Sequence, residues 1–179
     1  MPATEETLLA FLNDLGVRAR THYHPAVFTV EEARTNRGAL PGEHCKCLFV
    51  RDKKKRQALM VVEEGRPVDL KEAATGLGLG RLSFASPDRL QALLAVSPGS
   101  VTPFALINAR AAEGETPPLT VVLDAHMMAA SLLNYHPLHN AATTAITPQN
   151  LLRFIRACGY SPLFFDFATN SLASRPIGA

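Results

Sequence analysis

The segment HCKCLFVRDKKKRQALMVV, residues 44–62, is the most informative part of this chain for predicting its fold. Two apolar runs, at 45–50 and 58–62, have the composition of β-strands. The segment between them is short and basic and is typical of a turn. We therefore predict a β-hairpin with a positively charged tip.

Outward from this hairpin, helices and strands alternate irregularly along the chain. Helical spacing and capping residues predict helices at 4–15, from Thr29 onward, at 70–77, 87–94 and 148–157. Further strands are predicted at 17–23, 82–85, 104–107, 119–123, 142–146 and 163–167. The final dozen residues are predicted to be a loose tail. This order favours an α+β fold with a mixed sheet over a regular doubly wound fold.

The composition is that of a folded, water-soluble domain. The chain has 179 residues, of which 47% are hydrophobic and 19% charged, enough for one domain with one sizeable core. No apolar run approaches the roughly 20 residues that span a bilayer. The acidic N-terminus lacks the pattern of a signal peptide, so we expect a cytoplasmic protein without a membrane partner.

The basic charge is concentrated in one place although the formal net charge is only +2. Such a cluster can contact phosphates without the whole protein being basic. A solvated hairpin tip is the alternative, and from this segment alone it is the favoured one. The clustered residues are Lys46, Arg51, Lys53, Lys54, Lys55 and Arg56.

No metal site is predicted. The three cysteines, an odd number, are not expected to form disulfides in a reducing compartment. Cys45 and Cys47 lack the second ligand pair of a zinc site. The histidine pairs, His22 with His24 and His136 with His139, lack evident cysteine or carboxylate partners.

Three segments, taken in order, carry a family resemblance: HCKCLFVRDKK (44–54), SPGSVTPF (97–104) and NYHPLHNAATT (134–144), with GRLSF (80–84) in agreement. Together they resemble the YbaK-type editing domain associated with prolyl-tRNA synthetase, in particular its free-standing alanyl-tRNA(Pro) deacylase branch. The resemblance covers nearly the whole chain. Each motif alone has little specificity, whereas the ordered set is specific.

The resemblance implies a single α+β domain with a curved, partly barrel-like mixed sheet flanked by helices, spanning residues 1–168 and followed by a tail at 169–179. It implies no metal or organic cofactor. The substrate would be an aminoacyl ester on the 3′-terminal adenosine of tRNA(Pro), with prolyl-tRNA synthetase as a further partner. DNA is not expected as a partner because no helix-turn-helix with a basic recognition helix is evident.

The resemblance also indicates three catalytic positions, Lys46, Gly99 and His136. We expect the Lys46 ammonium to hold the terminal phosphate or ribose edge, or to stabilise charge on the ester carbonyl oxygen. Gly99 permits close approach of a rigid backbone loop. His136 can move protons at neutral pH or position the substrate, although a structural role in its His-Pro turn remains equally open.

Further positions are expected to bind the substrate. These are Cys47, Ser100, Val101, Thr102 and Pro103 around the amino acid, and Arg51, Lys53, Lys54, Lys55 and Arg56 along the tRNA. The family typically has asparagine where this chain has Cys47, and cysteine is a poorer hydrogen-bond donor. Either the asparagine is dispensable, the preferred amino acid differs, or Cys47 contributes its own chemistry.

An alanine-clearing enzyme has a physical rationale. A synthetase pocket shaped for proline cannot strongly exclude the smaller alanine, since missing methylenes are worth only about 1–3 kcal/mol. A second, smaller pocket can admit alanine and reject proline by overlap. Two alternatives stay open: clearance of cysteine or another amino acid, and a nucleic-acid-binding or regulatory module without catalysis.

Overall fold

The computed structural model describes residues 1–26 and 40–178. Within them the α-helices are α1 (Glu5–Asp14), α2 (Leu70–Gly76), α3 (Pro87–Leu94) and α4 (Pro148–Ala157), and short 3₁₀ helices occupy Pro103–Ala109 and Met127–Ala129. The strands are β1 (Arg20–Tyr23), β2 (Glu43–Arg51), β3 (Gln57–Glu63), β4 (Ser83–Phe84), β5 (Thr120–Asp124), β6 (Leu133–Tyr135), β7 (Ala142–Ile146), β8 (Leu163–Asp166) and β9 (Ser171–Ala173). None of these described helices has the length and apolar character of a membrane span.

The strands form one mixed sheet in the order β1-β7-β6-β2-β3-β5-β8-β9, with β4 paired to β2. The pairs β3–β5, β5–β8 and β2–β6 are parallel, whereas β2–β3, β6–β7, β1–β7 and β8–β9 are antiparallel. This confirms the predicted α+β fold with a mixed sheet. The described strands do not close into a barrel, because β1 and β9 are the two edge strands of the sheet and do not pair with each other.

The predicted hairpin is confirmed. Strands β2 and β3 pair from Cys45 opposite Glu63 to Arg51 opposite Gln57. The turn is organised by the buried carboxylate of Asp52, which accepts hydrogen bonds from the backbone N–H and the Nε of Arg56 at 3.0 and 2.8 Å. Burial raises the pKa of Asp52, but these bonds and one from the Gly80 N–H outweigh it and hold the pKa below its usual value.

The sheet is covered on both faces. Alternate residues of β3 enter two cores: Leu59 and Val61 enter the larger one, and Met60 and Val62 the smaller one. In the larger core Phe104 packs edge-on against other aromatic rings, which fixes the 3₁₀ helix against the sheet. Both faces of the central strands are therefore apolar, as their near-continuous hydrophobic runs indicate.

The predicted strand at 104–107 is wrong, because these residues belong to the 3₁₀ helix Pro103–Ala109. Thr102 caps this helix by accepting a hydrogen bond from the Phe104 N–H at 3.3 Å, and Pro103 occupies its first position. Residues 103–106 are all buried. A short, fully buried apolar run has no periodicity that separates a strand from a helix.

The segment predicted to be a loose tail contributes to the sheet. Residues Ser171–Ala173 form β9 on the edge strand β8, and the Ile177 N–H donates to the Ala125 carbonyl at 2.9 Å. Leu172 is exposed, so backbone pairing rather than apolar burial holds this strand. Strand β6 was likewise not predicted, and the helix predicted from Thr29 lies outside the described residues.

Candidate functional site

One edge of the sheet gathers the carboxyl ends of three neighbouring parallel strands. Strands β3, β5 and β8 end there at Glu63, Asp124 and Asp166. Lys46 lies near the same edge because it pairs with Val62 on β3. Such edges, where loops leave the strands together, are common places for binding sites.

The Lys46 ammonium is fixed by the turn that follows β3. Its Nζ donates a hydrogen bond to the Glu64 carbonyl at 3.0 Å and a second to the Arg66 carbonyl. An ammonium has three N–H donors. Two of them therefore bind the turn. These two bonds fix the orientation of the ammonium, and with it the direction of the third N–H, which a freely rotating side chain would not do.

The turn itself is tied to a buried carboxylate. Asp124 accepts hydrogen bonds from Arg66 Nε at 2.8 Å, from the Glu63 N–H at 3.4 Å and from the His126 N–H at 3.0 Å. Its side chain is fully buried. Sequence reasoning missed Arg66 and Asp124. The available signal was a charged residue closing the apolar run of β5.

Cys47 lies on the face of β2 opposite Lys46. Neighbouring residues of a strand face opposite sides, and both Cys45 and Cys47 pack against the larger core. Burial raises the pKa of Cys45 to about 12 and that of Cys47 well above the usual thiol value. Both thiols stay protonated at neutral pH, which disfavours a thiolate nucleophile. Contact of Cys47 with the substrate stays a prediction.

The loop at 97–103 is exposed at its start, from Ser97 to Gly99, and largely buried at its end. Gly99 has φ +86°, and a Cβ built there meets no atom within 4 Å. Glycine is therefore favoured by backbone conformation and not by lack of space. Ser100, Thr102 and Pro103 are buried and Val101 packs partly on the larger core. Contact of Gly99 and of residues 100–103 with the substrate stays a prediction.

His136 has a defined tautomer. Its Nδ1 lies 2.8 Å from the Ala142 carbonyl, which can only accept, so Nδ1 carries the proton. In the neutral ring, Nε2 then has the lone pair and can accept a proton. The ring lies 6.2 Å from that of His24, whose Nε2 contacts Thr143 Oγ1 at 2.9 Å.

The other histidine of this segment joins a surface cluster. His139 Nε2 lies 2.7 Å from Glu5 Oε2, and Tyr23 donates to Glu5 Oε1 at 2.7 Å. The hydrogen bond to Glu5 raises the pKa of Tyr23. Across residues 1–26 and 40–178, no group of three or more histidine, cysteine or acidic side chains is arranged to hold a metal ion.

The basic hairpin tip divides into two kinds of residue. Lys53, Lys54 and Lys55 are exposed, and Arg51 is half-buried. Arg56 instead pairs with Asp52 at 2.7 Å and donates to the Gly78 carbonyl at 3.2 Å. Arg56 therefore has a structural task in the turn, whereas the three lysines extend from it. Contact of all five with tRNA stays a prediction.

The three motif segments adjoin one another around β6. Its Asn134 pairs with His44 on β2, and its Tyr135, just before His136, packs edge-on against Phe104 at 5.9 Å. The Lys46 side chain, however, lies on the face of β2 away from the core that holds Phe104. Convergence of Lys46, Gly99 and His136 on one narrow cleft stays a prediction.

Comparison with known proteins gives a consistent family. The family model described as an aminoacyl-tRNA editing domain matches residues 24–154. A Xenopus laevis protein named prolyl-tRNA synthetase associated domain-containing protein 1 is 37% identical over 167 residues, covering 90% of this chain and 96% of its own. The prolyl-tRNA editing protein ProX of Acetoanaerobium sticklandii is 33% identical over 156 residues, covering 87% and 92%.

Solved structures agree on the fold. A crystal structure described as a candidate trans-editing enzyme for prolyl-tRNA synthetase superposes with a TM-score of 0.66 and 23% identity, covering 93% of this chain and 98% of its own. At this identity the likeness supports the architecture alone. Together, the family match and the fold cover almost all of the described chain.

Proposed function

Because this chain belongs to the aminoacyl-tRNA editing domain family, of the YbaK/ProX type, we propose that it is a trans-editing hydrolase for mischarged tRNA(Pro), with alanyl-tRNA(Pro) as its substrate. The observation that carries this proposal is the family match across residues 24–154 together with the oriented Lys46 ammonium inside it. The naming of the relatives for prolyl-tRNA supports the choice of tRNA.

The reaction needs positioning more than strong catalysts, because an aminoacyl ester is already activated. Water attacks the ester carbonyl carbon, the bond to the ribose 3′ oxygen breaks, and that oxygen leaves with a proton. In the proposal the third N–H of Lys46 binds the ribose or terminal phosphate, or the carbonyl oxygen as it gains charge.

In the proposal, His136 transfers a proton or positions the substrate, and the loop around Gly99 forms a rigid side of the binding pocket. The His136 ring, whose orientation is held by the bond between Nδ1 and the Ala142 carbonyl, moves a proton of the attacking water or positions a ribose hydroxyl. The loop around Gly99 offers backbone groups for the α-amino group or the oxyanion. A methyl-sized pocket would then admit alanine and exclude the proline ring.

A panel of charged tRNAs tests this function. Alanyl-, cysteinyl- and prolyl-tRNA(Pro), with alanyl-tRNA(Ala) for comparison, are incubated with the protein and the remaining ester is followed over time. We expect hydrolysis of alanyl-tRNA(Pro) and survival of the prolyl ester. Preference for the cysteinyl ester would overturn the substrate assignment. Binding to tRNA(Pro) without hydrolysis of any ester would overturn the proposed hydrolase activity and support a nucleic-acid-binding module without catalysis.

Variants of two lysines test the residue assignment. Lys46→Ala should lower the deacylation rate by about 100-fold, the usual effect of removing a donor aimed at developing charge. The matched control is Lys71→Ala, because Lys71 is an exposed lysine on α2. A Lys46→Ala protein that keeps a near wild-type rate would remove Lys46 from the mechanism.

A further inference from the structure

Burial of the ion pair between Arg66 and Asp124 costs free energy of folding. The roles assigned so far to other residues do not explain why this pair is present. Asp124 is fully buried at the end of β5, and Arg66 reaches it from a turn 58 residues away in sequence. Buried charges are expensive unless paired and fully hydrogen-bonded. All three described bonds to this carboxylate hold either the turn or the start of the next loop.

Arg66 makes separate contacts through its side chain and through its backbone. Its guanidinium is bound by Asp124, while its own carbonyl accepts a hydrogen bond from Lys46 Nζ. Other described bonds of the turn stay within the β2–β3 hairpin: Arg66 N–H donates to the Glu63 carbonyl at 3.1 Å, and Glu64 N–H donates to the His44 carbonyl at 2.9 Å. Of these described contacts, the Asp124 pair is the one that ties Arg66 to a strand outside the β2–β3 hairpin, namely β5.

We propose that Asp124 is a positioning residue that acts through Arg66 to hold the two carbonyls that orient the Lys46 ammonium. This inference rests on the proposed function, since it assigns a role within the same site. Asp124 neutralises the Arg66 guanidinium, so the turn can lie against Lys46 without adding unbalanced positive charge. Loss of Asp124 would both loosen the turn and leave the Arg66 guanidinium without its counter-charge on the turn that binds the ammonium.

Kinetics of three variants test the path from Asp124 to Lys46. Asp124→Asn and Arg66→Ala should each lower kcat by about tenfold, a typical cost of a misplaced group, with KM little changed. Because both act on the same turn, the double variant should be no slower than the slower single variant. Arg66→Lys should recover part of the lost kcat, since it restores a cation for Asp124.

The matched control is Asp88→Asn. This carboxylate is exposed in the first turn of α3, and none of its described bonds reaches Asp124 or the turn. We expect its kcat to match the wild type. Folded Asp124→Asn and Arg66→Ala proteins with unchanged kcat, or losses that multiply in the double variant, would overturn the proposal.

A second measurement separates this inference from the proposed function. Acetylation of Lys46 by a small reagent is followed by mass spectrometry, with Lys71 in the same sample as reference. The ratio of the Lys46 to the Lys71 rate should rise several-fold in Asp124→Asn and Arg66→Ala, because an ammonium released from two carbonyls is reached more easily. An unchanged ratio in folded variants would overturn the positioning role. If the wild-type protein has no deacylase activity but the two variants still show the raised ratio, the proposed enzymatic function is overturned and the positioning role of Asp124 is retained.

Discussion

The hairpin of β2 and β3 carries a buried aspartate–arginine pair near each end. At the turn, Asp52 binds Arg56 four residues later, with an N–O distance of 2.7 Å. At the opposite end, Asp124 binds Arg66 at 2.8 Å across 58 residues. Both carboxylates have side chains at 0% exposure. The chemistry is the same at the two ends, and the sequence separation is not.

The difference shows how one type of pair can serve the fold or the site. The Asp52 pair is local and closes the turn from which it comes, with an additional bond to Gly80. The Asp124 pair joins the end of β5 to the turn after β3, whose carbonyls bind Lys46. A local pair can form as soon as its turn forms, whereas the distant pair needs the whole sheet in place.

The largest expected effect comes from breaking the distant pair. Asp124→Ala should reduce the free energy of unfolding by about 3 kcal/mol, because it leaves the Arg66 guanidinium and two backbone N–H groups without their buried acceptor. Asp52→Ala should cost less, since Arg56 is 45% exposed and can be solvated in its place. Urea denaturation followed by circular dichroism measures both. Equal losses would contradict the argument that the more exposed arginine is more easily solvated.

An intermediate effect is expected at the exposed end of the hairpin. Replacing Lys53, Lys54 and Lys55 together by alanine should weaken tRNA binding by about tenfold and reduce the slope of log affinity against log salt by about 2, because fewer counterions are released. The measurement is a binding titration at several salt concentrations. Lys71→Ala is the control. An unchanged slope would show that the three lysines do not contact tRNA phosphates and are a solvated hairpin tip.

The smallest effect concerns acid stability. The pKa of Asp52 is lower in the folded than in the unfolded protein, so its stabilising contribution is complete above the unfolded carboxyl pKa of about 4 and is lost as pH falls through the folded value. Asp52→Asn should therefore be less stable than wild type near neutral pH, with the gap narrowing toward about pH 2. Urea midpoints across this range measure the gap. A gap that is constant with pH would contradict the lowered pKa.

Local patterns were sufficient for most elements of the fold. The hairpin, α1, α3 and α4 follow from apolar periodicity and from capping by Thr4, Ser86 and Thr147. Three elements were not predictable in this way. Strand β6 has only three residues, β9 is held by backbone pairing at an edge, and the buried run after Thr102 is compatible with either strand or helix.

Residue type and short spacing were enough to predict the α+β class and, through three ordered motifs, the family resemblance with Lys46, Gly99 and His136 as candidates. The contacts that orient Lys46, with the carbonyls of Glu64 and Arg66, and the bond of Asp124 to their turn became visible in the folded chain alone. Those contacts join β2 and β5 to the turn that follows β3. Their distance in space depends on strand order and register, which no local pattern encodes.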